Sequence, residues 1–574
     1  MSVRFERDVE NVLRDGTRLR ANVFRPDAEG QFPVLLVRIP YGKDSIFNYN
    51  LANPLQLAEA GYIVAVQDVR GTFSSEGSHS GFQQEFEDGY DAVEWASQLP
   101  GSNGKVGMFG GSYFAWTQLS AAAMRHPALK TVVPAMPVTD ARAANRRGGA
   151  VEWGVYAGWT LSMMPDQLLR TAARNPDMPR QFGRLIHAID HMTETVYPEL
   201  PVAQLTAVRQ TDLVPAYLAY IDKELDDALW GVETVETRYA DMTVSAYVIG
   251  GWYDIFLRNA LVAYETLRET GHRARLLIGP WTHTGRLMNF VGELDFGVAA
   301  NGSTLDLKYD MTELHRRWFD AELKDTPPTA EVDLPIHIFV MGENRWRSVS
   351  QWPLVETTYV PYYLHSGGQA NSVSGDGSLS AAPPTAEQAD RYEYDPGNPV
   401  PTIGGHTLMA PALPAGPYDQ ATVEMRRDVL VYTSQVLTEA VEVTEPVTAK
   451  LWVSSDAVDT DFVVRLADVH PDGRSIPLAD GILRMRNRKG EQTASWMEPG
   501  EVYAITIDCW ATSSVFLPGH RIRVHVTSSS FPRWNRNLNT GASNETTAQY
   551  RSARQSIYHD VERPSHIVLP IIQR

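Results

Sequence analysis

The sequence predicts an α/β protein: a parallel sheet with helices on its faces, interrupted by a helical block and followed by an all-β region. Three observations carry this. Short apolar runs rich in β-formers alternate with amphipathic helical segments up to about residue 145, and again from Val244; that alternation builds parallel sheets. Between those stretches the pattern is helical only. After Trp352, many short strand patterns separated by turn residues take over, as in a β-sandwich or jelly roll.

The elements follow in order. Arg14-Asp15-Gly16-Thr17 carries the Asp-Gly signal of a tight hairpin. Phe32 to Arg38 and Tyr62 to Gln67 are apolar runs short enough to be buried strands. Between them Pro54 to Ala60 is a helix stopped by Gly61. Glu85 to Gln98 is amphipathic, Lys105 to Phe109 is a third strand, a helix from Tyr113 to Arg125 follows at once, and Thr131 opens the next strand. From Glu152 to about Ala240 aromatic and Met residues (Trp153, Trp159, Met163, Trp230) recur in helical segments. Val244 to Ile249, a helix near Asn259 to Thr270, and Ala274 to Ile278 resume the alternation, so the helical block is an insertion. Later strands include Lys450 to Val453, Phe462 to Leu466 and Arg521 to Val526, and the Gly/Ser/Ala-rich stretch 366–384 is expected to be a mobile loop. The expected boundaries are 1–145 and 241–354 for the two parts of the α/β domain, 146–240 for the helical block, and 355–574 for the β domain.

Composition narrows the function. The 574 residues are 43% hydrophobic and 21% charged, with a net charge of −18. That excludes a disordered or fibrous chain, and an acidic field of this size disfavours nucleic acid or anionic membranes as partners. The lone Cys509 cannot form an internal disulfide and is expected to be a buried small residue. The N-terminus lacks the apolar core of a signal peptide, and no run is long and apolar enough for a membrane span. A cytoplasmic monomer or homodimer is the expectation.

The chemistry concentrates at Gly110-Gly111-Ser112-Tyr113. A serine between a strand and a helix, preceded by glycines, projects its hydroxyl above the sheet; a helix N-cap serine would look the same. A Gly at position 114 would complete the usual elbow, and here it is Phe114. Two further strand ends supply the partners such a nucleophile needs. Asp254 follows Gly251-Trp252-Tyr253, and His283 follows Pro280-Trp281-Thr282. Serine, acid and histidine in that chain order, each past a strand, form a candidate triad. The Tyr113 backbone N–H is a candidate oxyanion donor. The loop after the first buried strand offers no HGGG-type backbone donor, and Tyr41 is positioned to give a phenolic one.

At this point the chain resembles the bacterial cocaine esterase family, which is similar to X-prolyl dipeptidyl peptidases and α-amino-acid ester hydrolases. Besides the segments above, Arg38-Ile39-Pro40-Tyr41, Gln67-Asp68-Val69-Arg70-Gly71, Asp459-Thr460-Asp461-Phe462 and Phe516-Leu517-Pro518-Gly519-His520-Arg521 carry the resemblance. It implies an α/β-hydrolase fold with an inserted helical cap and a C-terminal jelly roll. It implies Ser112 as nucleophile, His283 as base, Asp254 as its partner, and Tyr41 with Tyr113 as the oxyanion hole. Trp159, Phe256, Leu408 and Met409 match acyl-pocket positions, and the substrate would be a small-molecule ester. Three positions depart from the family pattern. Ala115 replaces a glycine, Ala144 aligns with a pocket tryptophan and Met409 with an aromatic; losing an aromatic wall alters the pocket's shape.

Rival functions remain open at this level. An amidase, acylase or aminopeptidase would need carboxylates near the pocket; Glu152 and Asp166 lie in the cap, where lone carboxylates are usually solvated. Arg146 and Arg147 are expected on a solvated cap face, and Asp68 in a structural role, pairing with Arg70 or holding a loop. A catalytically silent binding protein is the alternative of another class. No metal or cofactor motif is found, and His315 and His520 read as structural or surface residues.

Overall fold

The computed structural model describes residues 1–45, 51–209, 211, 234–285, 287–324, 334–409, 411–490, 494–542 and 546–573; Trp230 lies outside them. A ten-stranded sheet organises the first half of the chain. Its strands are β1 (Val3–Val12), β2 (Arg18–Pro26), β3 (Phe32–Ile39), β4 (Ile63–Asp68), β5 (Ser102–Gly111), β6 (Leu129–Ala135), β7 (Ser245–Tyr253), β8 (Ala274–Thr282), β9 (Ile336–Val340) and β10 (Arg345–Val349). Their order is β1-β2-β4-β3-β5-β6-β7-β8-β9-β10. The pairs from β4 to β9 are all parallel. The antiparallel pairs lie at the two ends. Parallel strands must be covered on both faces, which is why β3 and β4 read as unbroken apolar runs and are buried almost throughout.

The longer helices, with the short α1, are α1 (Pro54–Glu59), α2 (Glu85–Ser97), α3 (Tyr113–Ala123), α4 (Trp153–Leu169), α5 (Met178–Asp190), α6 (Leu257–Glu269) and α7 (Met311–Leu323). Helix α3 is buried at every residue, the signature of a central crossover helix. Helices α4 and α5 belong to the inserted block, with a core of its own built around Trp153, Tyr156, Leu161, Leu168 and Leu185. Met409, Leu413 and Phe531 from the second half of the chain pack on that core.

The second half is an eleven-stranded, mainly antiparallel assembly. Its long strands are β11 (Val441–Ser455), β12 (Asp461–Val469), β13 (Ser475–Arg484), β14 (Tyr503–Phe516) and β15 (Arg521–Thr527). Cys509 is buried and free on β14. The stretch 366–384, expected to be mobile, is tied down instead. The Asp376 carboxylate accepts the Gly367 and Gln369 N–H groups, Asp390 accepts that of Ala370, and Ser378–Ser380 forms a strand. Its composition signals turns, and side chains outside any local pattern satisfy them.

The junction between the two halves is polar and buried. Arg533 binds Asp480 at 2.6 Å and Glu152 at 3.4 Å. The Arg147 guanidinium lies over the Trp510 ring, 3.1 Å from its centroid. Arg147 and Glu152, both expected to be solvated, are therefore buried, each by partners more than 350 residues downstream. Between them Gly148, at φ +50°, runs so close to Ile482 that a β-carbon would sit 2.0 Å from its carbonyl oxygen. Only glycine permits that approach.

Candidate active site

Four loops at the carboxyl ends of β3, β5, β7 and β8 carry the predicted residues, the edge where open α/β sheets place their ligands. Ser112 is the single residue between β5 and α3, with φ 60° and ψ −123°. A non-glycine residue with positive φ is strained. Here the strain is held by Ser112 N–H donating to Ala135 O at 2.9 Å and by Ala115 and Trp116 N–H donating to Ser112 O. Gly110 makes room for the turn: at φ +133°, a β-carbon there would meet Phe114 Cβ at 2.7 Å. Phe114, the departure from the usual elbow, thus fills space that the backbone of residue 110 leaves empty.

Asp254 is fully buried. Its Oδ1 accepts the Phe256 N–H at 2.9 Å and lies 2.9 Å from His283 Nδ1. The His283 side chain keeps only 7% exposure. The Phe256 ring stands edge-on to the imidazole, with centroids 5.0 Å apart. Phe256 is not among the walls of the adjoining cavity, so its placement differs from the pocket role the resemblance implies. Its ring packs against the imidazole instead.

Tyr41 leans over the elbow. The Trp159 indole N–H donates to its phenolic oxygen at 2.9 Å, and the Ser112 hydroxyl is within hydrogen-bonding reach of the same group. Burial pushes the phenol up to about 12, outweighing those two hydrogen bonds. It is therefore a neutral O–H donor at physiological pH. Tyr113 turns its side chain away from the cavity, donating to Gly81 O and Glu85. Its backbone N–H opens helix α3, where the first N–H groups have no partner within the helix and the dipole favours negative charge.

Asp68 is structural, as expected, but it does not pair with Arg70, which binds Asp88 and Asp15. Its carboxylate accepts the N–H of Lys43 at 2.6 Å and of Ser74 at 3.2 Å. It thereby clips the Tyr41 loop to the loop bearing Phe73, and burial raises its carboxyl to about 6.

Ser112, Tyr41 and His283 share one cavity of about 600 Å³. Trp159, Leu408 and Met409 line it, together with Phe73, Phe114, Met163 and Met192, which sequence reasoning did not single out as pocket residues. Ala144 is buried and not in that wall. Asp166, expected to be solvated, does line the cavity. Its Oδ2 is engaged by the Phe73 N–H at 3.1 Å and Arg170 Nε at 3.2 Å. The helical phase of α4 carries the signal for Asp166, about two turns beyond Trp159, but phase alone does not say which face meets a cavity.

Comparison with known proteins places the chain. Residues 15–285 match the model of the X-Pro dipeptidyl-peptidase (S15 family), and residues 330–568 match the X-Pro dipeptidyl-peptidase C-terminal non-catalytic domain. The cocaine esterase of Rhodococcus sp. (strain MB1 Bresler) is 38% identical over 98% of this chain and 97% of its own. An α-amino acid ester hydrolase structure aligns with TM-score 0.81 and 26% identity, covering 99% of this chain and 96% of that one. An aminopeptidase from the marine sediment archaeon Thaumarchaeota archaeon gives 0.82 and 25%, covering 99% and 97%. A likeness that runs through both halves of the molecule means that this chain belongs to the cocaine esterase and S15 X-Pro dipeptidyl-peptidase family of serine hydrolases.

Proposed function

We propose that the chain hydrolyses small carboxylic esters through an acyl-enzyme on Ser112. The observation that carries this is the convergence of the strained Ser112, the His283–Asp254 pair and the Tyr41 phenol on one largely apolar cavity. Ser112 Oγ attacks the ester carbonyl while His283 Nε2 takes its proton. Asp254 fixes the Nδ1–H tautomer and stabilises the imidazolium. The tetrahedral oxyanion accepts from the Tyr41 O–H and the Tyr113 N–H. Collapse expels the alcohol, protonated by His283; water activated by the same imidazole then attacks the acyl-enzyme and releases the acid and Ser112. The acyl group occupies the walls formed by Trp159, Leu408 and Met409. In this reading the segments 1–145 and 241–354 supply the machinery, 146–240 the cap, and 355–574 one wall.

The test is Ser112→Ala. Turnover of an activated aryl ester falls by about 10³-fold or more, and labelling by a fluorophosphonate disappears. Retained turnover would remove Ser112 from the mechanism. A second reading, an acyl group bearing a free amine, is favoured by Asp166 in the cavity wall, although Arg170 already neutralises that carboxylate. Paired esters and amides with free and blocked α-amines separate the two. A preference for the free amine that Asp166→Asn abolishes would establish the second.

A further inference from the structure

We propose that Asp468, His470 and His520 form a binding site for a divalent transition-metal ion of the zinc type, clamping two turns of the β domain. Asp468 is the penultimate residue of β12, and His470 opens the turn from β12 to β13. His520 ends the turn from β14 to β15. Antiparallel pairing of β12 with β15, with Asp468 opposite Ile522 and Val469 opposite Arg521, brings the three together.

The donor atoms already converge. His520 Nδ1 lies 2.9 and 3.0 Å from the two Asp468 oxygens. His470 Nε2 lies 3.6 Å from Oδ2, and one donor atom from each residue falls within 4.8 Å of the others. Tetrahedral zinc with bonds of about 2.0–2.1 Å holds its ligand atoms about 3.3 Å apart, so the observed spacings straddle the required one. Two imidazoles and one carboxylate select zinc, cobalt or nickel over calcium or magnesium. An Asp468–His520 pair would need only two of these residues. The third is what points to a cation: the His470 ring lies 4.6 Å from that of His520 and turns its Nε2 to the same carboxylate.

The groups facing His470 are Asp468, His520, Arg474 and Asp472, and Arg474 is itself bonded to Asp472 at 2.8 Å. On binding, the hydrogen on His520 Nδ1 moves to Nε2, or leaves as a proton if the ring was charged. Three protein ligands leave the fourth position to water.

The experiment is titration of chelator-stripped, full-length protein with zinc alone by calorimetry, and with cobalt alone followed by its visible spectrum. The expected result is a zinc site whose affinity drops about 100-fold or more in His470→Ala, at least the loss seen when metal-ligand supports are removed. The cobalt form should show the intense bands of a tetrahedral site, absent from that variant. Affinity should also fall on acidification, since metal ligands bind deprotonated. His470 is partly exposed and outside the Asp468–His520 bond, so the variant should keep its unfolding temperature in chelator; His470→Gln serves as a second substitution if it does not. The neighbouring His187 and His191, with ring centroids 4.3 Å apart, are a rival zinc binder, removed in His187→Ala. Equal zinc affinity in the parent and both His470 variants, or loss of binding in His187→Ala alone, would overturn the proposal, as would no binding at all.

Discussion

At the scale of single residues, the most informative contact is the one between Trp159 and Tyr41. The sequence places Trp159 as a pocket wall. The structure adds that its indole N–H occupies the phenolic oxygen, which leaves the Tyr41 hydrogen to be given elsewhere. A phenol held un-ionised up to about 12 is a donor over the whole working range of a histidine base. Tyr41→Phe removes that donor and nothing else of the wall. The expected outcome is a kcat lower by about 10²–10³-fold, with KM little changed, on an activated ester. An unchanged kcat would assign the oxyanion entirely to backbone groups. The position of Ser112 at a strand–helix turn, and of Asp254 and His283 past strand ends, was legible because each rests on a local pattern: an apolar run, then a turn. The burial of Arg147 and Glu152 was not, because it depends on Trp510 and Arg533 far along the chain. Phe256, two residues past Asp254, stands edge-on to the imidazole, a contact that no local pattern shows.

At the scale of elements, the β5–α3 connection is a strained joint kept by its surroundings. Its single linking residue has positive φ, and the glycine two positions earlier sits in a region closed to side chains. Gly110→Ala forces either the strand end or the first turn of α3 to move. We expect a loss of about 1–3 kcal/mol in denaturant unfolding, with kcat falling by more than the population of unfolded protein explains. A variant as stable and as active as the parent would show that the joint has slack. Element type and order were legible throughout the alternating region, since period and length decide them. The helical insertion was legible as helices but not as a cavity wall. An amphipathic pattern shows that a face is covered, not whether protein or a substrate pocket covers it, and Asp166 fell on the wrong side of that distinction.

At the scale of the whole molecule, buried ion pairs fasten the β domain internally and to the inserted helical block. Glu424 is buried between Arg523, at 2.5 Å, and His525, at 2.8 Å. Burial alone would raise its carboxyl, but the His525 hydrogen bond and the charges of His525 and Arg523 reverse that and hold it at about 2. A carboxyl lowered on folding stabilises the native state above its unfolded value and loses that contribution as pH falls. The window runs from about 4.5 down to about 2, and the term amounts to at most about 3 kcal/mol. Glu424→Gln should therefore be less stable at neutral pH and show a shallower loss of unfolding free energy across that window. Parallel acid-denaturation curves for the two proteins would exclude it as the sensitive group.

One wall of the cavity has a different origin from the rest. Leu408 and Met409 come from the second half of the chain, yet stand opposite the serine loop. On the proposed mechanism, cutting the polypeptide after the sheet would leave a trough open on one flank, with Ser112, Asp254 and His283 still present. The serine and that flank are encoded almost 300 residues apart, so preference for one ester over another would then shift by exchange of a short downstream stretch while the proposed bond-breaking apparatus stays untouched.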